Sequence, residues 1–65
     1  MKKYDVKTAF SLLEKVLVIE TDIVYAEKVR QMYNVYSPKT RKLLGKVDET
    51  TFEKHTKLWK EDKKN

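Results

Sequence analysis

Six of the chain's fifteen lysines and arginines fall between Lys28 and Val47, in the stretch KVRQMYNVYSPKTRKLLGKV, which holds no aspartate or glutamate. Ammonium and guanidinium groups gathered in this way attract phosphate backbones, anionic lipid heads or acidic protein surfaces. The flanks cancel: residues 1–27 carry four basic and five acidic side chains, and residues 48–65 carry five of each. The net charge of +5 therefore originates in the middle third. Met32, Tyr33 and Tyr36 stand among the cations, and such side chains stack on bases or anchor a partner protein. The competing reading is a solvated basic surface that only keeps the protein in solution.

Catalytic chemistry finds few parts. The single histidine, His55, lies between Phe52 and Trp59 at helical spacing and reads as a packing or hydrogen-bonding residue. There is no cysteine to act as nucleophile or thiolate ligand, and neither Ser11 nor Ser37 has an evident base. One glycine rules out a glycine-rich phosphate loop, and a metal site would need ligands gathered around a lone histidine. The expectation is a protein that is not an enzyme, with no catalytic residue, metal or cofactor. A dyad assembled by folding would be the exception.

Sixty-five residues suffice for one small domain, near the size at which a single core becomes marginal, and no disulfide can supplement it. The chain reads as one domain over residues 1–62 with a frayed polar tail at 63–65. The absence of cysteine fits a reducing cytoplasm. Asp5 and Lys7 interrupt what would be the apolar part of a signal peptide, and the longest aliphatic run, Val16–Ile19, is too short to span a bilayer. These features point to a soluble cytoplasmic protein without membrane contact.

The elements that would position the cations follow from spacing. Asp5 can cap a first helix whose Val6, Phe10, Leu13 and Leu17 recur at four, three and four residues. Val16–Ile19 breaks the amphipathic pattern and reads either as a helix buried all round or as extended chain, with surplus apolar surface that hints at a subunit contact. Tyr25, Val29, Met32 and Tyr36 repeat the spacing and predict a second helix from about Asp22 to Tyr33.

Residues 34–47 read either as a short helix begun at Ser37-Pro38 or as a hairpin. The proline-led turn favours the hairpin, with Lys39, Arg41 and Lys42 at its tip. Asp48 then caps a last helix whose stripe is Phe52, His55 and Trp59, with Phe52 and Trp59 assigned to the core. Scarce glycine and proline disfavour a fold of many hairpins. The expected class is thus α+β and helix-rich: two N-terminal helices, a short basic hairpin and a C-terminal helix. An all-α bundle is the alternative.

Tyr4 to Leu13, YDVKTAFSLL, and Val29-Arg30-Gln31-Met32 carry a resemblance to the small winged-helix DNA-binding domains of the MerR and phage-excisionase type. The first segment is similar to the extended lead into their first helix, and the second to the signature of their second helix. Asn34 to Val47 would be the wing, and Val47 to Phe52 the strand and acidic cap before the last helix. The resemblance implies a regulatory or architectural factor of a phage or mobile element, bound to double-stranded DNA. Arg30 and Gln31 would read base edges, while Lys39, Arg41 and Lys42 would hold phosphate with Lys28 and Lys46 in support. The departures are a long Glu14–Glu27 insertion and Asn34 where a glycine is usual.

The opposing reading is a protein-interaction module, an adaptor, inhibitor or homodimer. It would use Met32, Tyr33 and Tyr36 as anchors and its cations against an acidic partner.

Overall fold

Burial along the chain alternates where helical spacing was expected. A computed structural model describes residues 1–14 and 17–59. In chain order these form strands β1 (Lys2–Val6), β2 (Phe10–Ser11), β3 (Val18–Ile19), β4 (Ile23–Val29), β5 (Met32–Tyr36) and β6 (Leu43–Asp48), then helix α1 (Glu49–His55) and strand β7 (Thr56–Leu58). In β4 the buried side chains are Val24 and Ala26, and in β5 they are Tyr33 and Val35. A period of two with β-branched and aromatic residues is what a strand with one buried face shows.

Five strands make one antiparallel sheet in the order β6-β5-β4-β1-β7. The connection from β1 to β4 carries a short two-stranded arm, β2 with β3, in which Phe10 faces Ile19. Leu13 ties this arm to the sheet edge, donating its N–H to the Lys46 carbonyl at 2.8 Å. Helix α1 runs from edge strand β6 to edge strand β7, so its chain crosses one face of the sheet. Phe10, Leu12 and Ile19 of the arm, Val24, Ala26, Tyr33, Val35 and Val47 of the sheet, and Phe52 of the helix are buried together there. The core thus lies between the sheet and a second layer made of helix and arm.

Phe52 is fully buried at the centre of this layer. Its ring stacks on Tyr33 at 4.2 Å and meets Tyr4 and Phe10 edge-on at 4.8 and 5.8 Å. The Tyr33 hydroxyl escapes the apolar cluster by donating to Glu53 Oε2 at 3.0 Å.

The helix-rich expectation, and the all-α alternative with it, are overturned. Strand β1 and the arm replace the first helix. The residues assigned to the second helix form the β4–β5 hairpin, closed by the two-residue turn Arg30-Gln31. The winged-helix arrangement, including a recognition helix bearing Arg30 and Gln31, is therefore not the architecture of this chain. The hairpin over residues 34–47 is present as β5 and β6. Asp48 caps α1 as expected, accepting from the Thr51 N–H at 3.0 Å, and this bond lowers the Asp48 pKa.

That helix is shorter than its apolar stripe suggested, because Thr56 is already extended. Trp59 consequently leaves the core and is 38% exposed. Of the Val16–Ile19 run, Ile19 is buried, Val18 is exposed and both belong to β3, while Val16 and the tail at 63–65 lie outside the described residues. No helix among the described residues is long and apolar enough to cross a membrane.

Two measurements check this packing. A Cβ on Gly45 would lie 2.8 Å from Leu12 Cδ1 and 3.4 Å from Leu12 Cβ. Gly45→Ala should therefore overpack the arm against the sheet and cost about 1–3 kcal/mol in urea unfolding. An unchanged midpoint would contradict the close approach. Burial first, and then the hydrogen bond to Glu53, hold the Tyr33 phenol above its ordinary pKa. Raised in the fold, this group contributes stability that is full below an unfolded pKa of about 10 and is lost as pH rises through the folded value. Ultraviolet titration should find one phenolate that appears only with loss of the fold, and Tyr33→Phe should abolish that step.

Candidate nucleic-acid interface

The sheet has a second face, turned away from Phe52. Strand pairing sets Lys3 opposite Tyr25 and Tyr25 opposite Tyr36, and residues directly opposite in a ladder share a face. Their chain neighbours Tyr4, Val24 and Val35 belong to the core side, so this row points outward. Trp59 extends the row at the β7 edge. Its N–H donates to the Lys3 carbonyl at 2.9 Å, and Lys3 Nζ lies 4.3 Å above the indole ring.

At the other side Arg41 reaches back from the β5–β6 loop. Its guanidinium lies 4.0 Å over the Tyr25 ring, and Nη2 donates to the Tyr25 hydroxyl at 3.1 Å. An exposed cation over an aromatic face is worth about 0.5–1 kcal/mol, enough to hold both partners in one orientation.

The loop fixes Arg41 in place. Ser37 Oγ accepts from the N–H groups of Lys39 and Thr40, and the Ser37 carbonyl accepts from the Arg41 N–H at 2.9 Å. The Ser37 N–H donates to the Lys42 carbonyl at 2.9 Å, and Thr40 Oγ1 accepts from the Lys42 N–H. Closing this tight loop puts Arg41 in the left-handed region, at φ 63°, where a glycine is less strained. Arg30 has φ 61° in the β4–β5 turn, and Glu14 has φ 63° in the arm, between β2 and β3.

The cations singled out in the sequence do not form one patch. Lys39, Arg41 and Lys42 occupy the β5–β6 loop, whereas Arg30 and Gln31 occupy the turn at the opposite end of β5, about 17 Å away at the ordinary rise of a strand. Lys28 is neutralised: its Nζ lies 2.7 Å from Glu49 Oε2, and this bond raises its pKa. Lys46 stands on β6 beside Met32 and Asn34, and its carbonyl holds the arm. Of the aromatic anchors, Tyr36 lies in the outward row and Tyr33 is buried under Phe52.

Sequence reading gave Lys3 no role, set Tyr25 on a helix stripe and placed Trp59 in the core, because only the register of β1 against β4 and β7 brings the three together. By strand register three acids share the outward face: Asp5 opposite Ile23 and Lys57, Glu27 opposite Asn34, and Asp48 opposite Met32.

One other constellation is assembled by folding. Thr8 Oγ1 lies 2.6 Å from His55 Nδ1, and the His55 ring stacks near Phe10. The His55 carbonyl also accepts from the Lys7 and Thr8 N–H groups. Among the described residues no carboxylate pairs with the other ring nitrogen, so the contact fastens the end of α1 to the end of β1. No group of three or more histidine, aspartate or glutamate side chains among the described residues could hold a metal ion. A scan of protein-family models and searches of curated proteins and of solved structures return no match to this chain.

Proposed function

We propose that the protein binds single-stranded nucleic acid across the outward face of its sheet, as a small cytoplasmic accessory or regulatory factor. The observation that carries this reading is the row Trp59, Lys3, Tyr25 and Tyr36, with Arg41 laid over Tyr25. Unpaired bases stack on aromatic rings and on guanidinium planes, and the bases of a duplex are not available for this.

An extended strand lying across β7, β1, β4 and β5 would meet a ring, a cation and two further rings, the first of these two carrying a guanidinium over it. Its phosphates would approach Lys3 at one side and Lys39, Arg41 and Lys42 at the other, adding a salt-dependent attraction. The net charge of +5 favours encounter with any polyanion, while the rings favour the single-stranded form.

The test is a fluorescence anisotropy titration of a labelled oligouridylate at about 50 and about 200 mM salt, with a duplex of equal length alongside. Arg41→Gly removes the guanidinium at a backbone position that glycine tolerates well, so the variant keeps its fold. A stacked base is worth about 1–3 kcal/mol, so Arg41→Gly and Trp59→Ala should each weaken the single strand by about tenfold. Higher salt should weaken it further. Equal affinity for single strand and duplex, or variants that bind like the wild type, would overturn the proposal.

A further inference from the structure

The outward face has a second half. Near the β4–β5 turn, Leu13 and Glu14 rise beside the sheet edge and leave a groove of about 500 Å³, within the range of ordinary ligand sites. Its apolar surface comes from Leu13 and from Val29 and Met32, which face each other across the β4–β5 ladder. Leu13 and Val29 are 43% and 46% exposed, high for aliphatic side chains brought together by folding.

The rim is charged. Arg30 of the β4–β5 turn, Lys46 of β6 and Glu14 all line the groove, and Asp48 stands opposite Met32 in the β5–β6 ladder with its carboxylate engaged by the Thr51 N–H. Lys28–Glu49 is the salt bridge among the described residues, and neither Arg30 nor Lys46 takes part in it. Arg30 and Glu14 both hold left-handed backbone positions that glycine would occupy with less strain.

We infer that this groove receives a short acidic peptide segment of a partner protein, anchored by one apolar side chain. The anchor would fill the space between Leu13, Val29 and Met32, and the segment's carboxylates would pair with Arg30 and Lys46. Asn34, on the floor, offers both a donor and an acceptor to the bound backbone. Charge decides the class of occupant. A second copy of this chain also carries +5, so it brings like charge to the two cations, whereas an acidic segment brings the complement. The site stands apart from the aromatic row, with Tyr25 and Val29 four residues apart along β4, so it does not rest on the nucleic-acid reading.

The experiment selects displayed random peptides on the immobilised full chain and then titrates the best synthetic peptide by fluorescence anisotropy against the wild type and variants. Enriched sequences should combine aspartate or glutamate with an aliphatic or aromatic residue. Arg30→Gly, which relieves the strained turn while removing the guanidinium, and Lys46→Ala should each weaken binding by about tenfold. Arg41→Gly should leave peptide binding unchanged, as Arg30→Gly should leave oligouridylate binding unchanged. No enrichment, enriched peptides without acidic residues, or binding indifferent to Arg30 and Lys46 would overturn the inference. So would dimerisation in sedimentation that both substitutions abolish, since the occupant would then be a second copy.

Discussion

Everything on the outward face depends on a ring that never reaches it. Phe52 is fully buried among Tyr4 of β1, Tyr33 of β5 and Phe10 of the arm, segments far apart in the chain. Burying a side chain of this size contributes about 1.5–3 kcal/mol, and truncating it in a core costs about 3–5 kcal/mol. That is a large share for so small a domain. The packing also fixes a direction. With Phe52 seated over the middle of the sheet, α1 must carry the chain from the β6 edge to the β7 edge. Only then can β7 pair with β1, and only that pairing sets Trp59 beside Lys3.

How a hairpin came to look like a helix is visible in one register. Tyr25 pairs with Tyr36 and Val29 with Met32, so all four lie on one face of the sheet. Their spacing of four, three and four is the footprint of a two-residue turn folding one strand back on another. The same spacing marks one side of a helix. Burial distinguishes the two, since Val24 and Ala26, then Tyr33 and Val35, alternate with this set. Ile23-Val24-Tyr25 was the local signal for a strand, through its β-branched and aromatic residues. The hairpin at residues 34–47 and the Asp48 cap were legible because their turn and capping chemistry is local.

Glycine was the more deceptive cue. The chain's one glycine, Gly45, is placed where the Leu12 side chain leaves no room for a Cβ. The left-handed positions fall instead to Glu14, Arg30 and Arg41. Counting glycines as turns therefore undercounts the hairpins. The same substitution of charge for glycine separates Arg30 from Arg41 at opposite ends of β5. A run of cations that looks continuous in sequence becomes two sites in space, one beside aromatic rings and one beside an apolar groove. Charge composition was readable in the sequence, whereas its division required the strand register.

The most direct measurement of the account is a two-dimensional amide NMR spectrum of the labelled protein, followed as a short oligouridylate is added. The largest shifts should fall on Lys3, Tyr25, Tyr36, Arg41 and the Trp59 indole, with the amides around Arg30 and Lys46 little changed. Shifts centred on Arg30, Met32 and Lys46, or small shifts spread over every lysine, would contradict it.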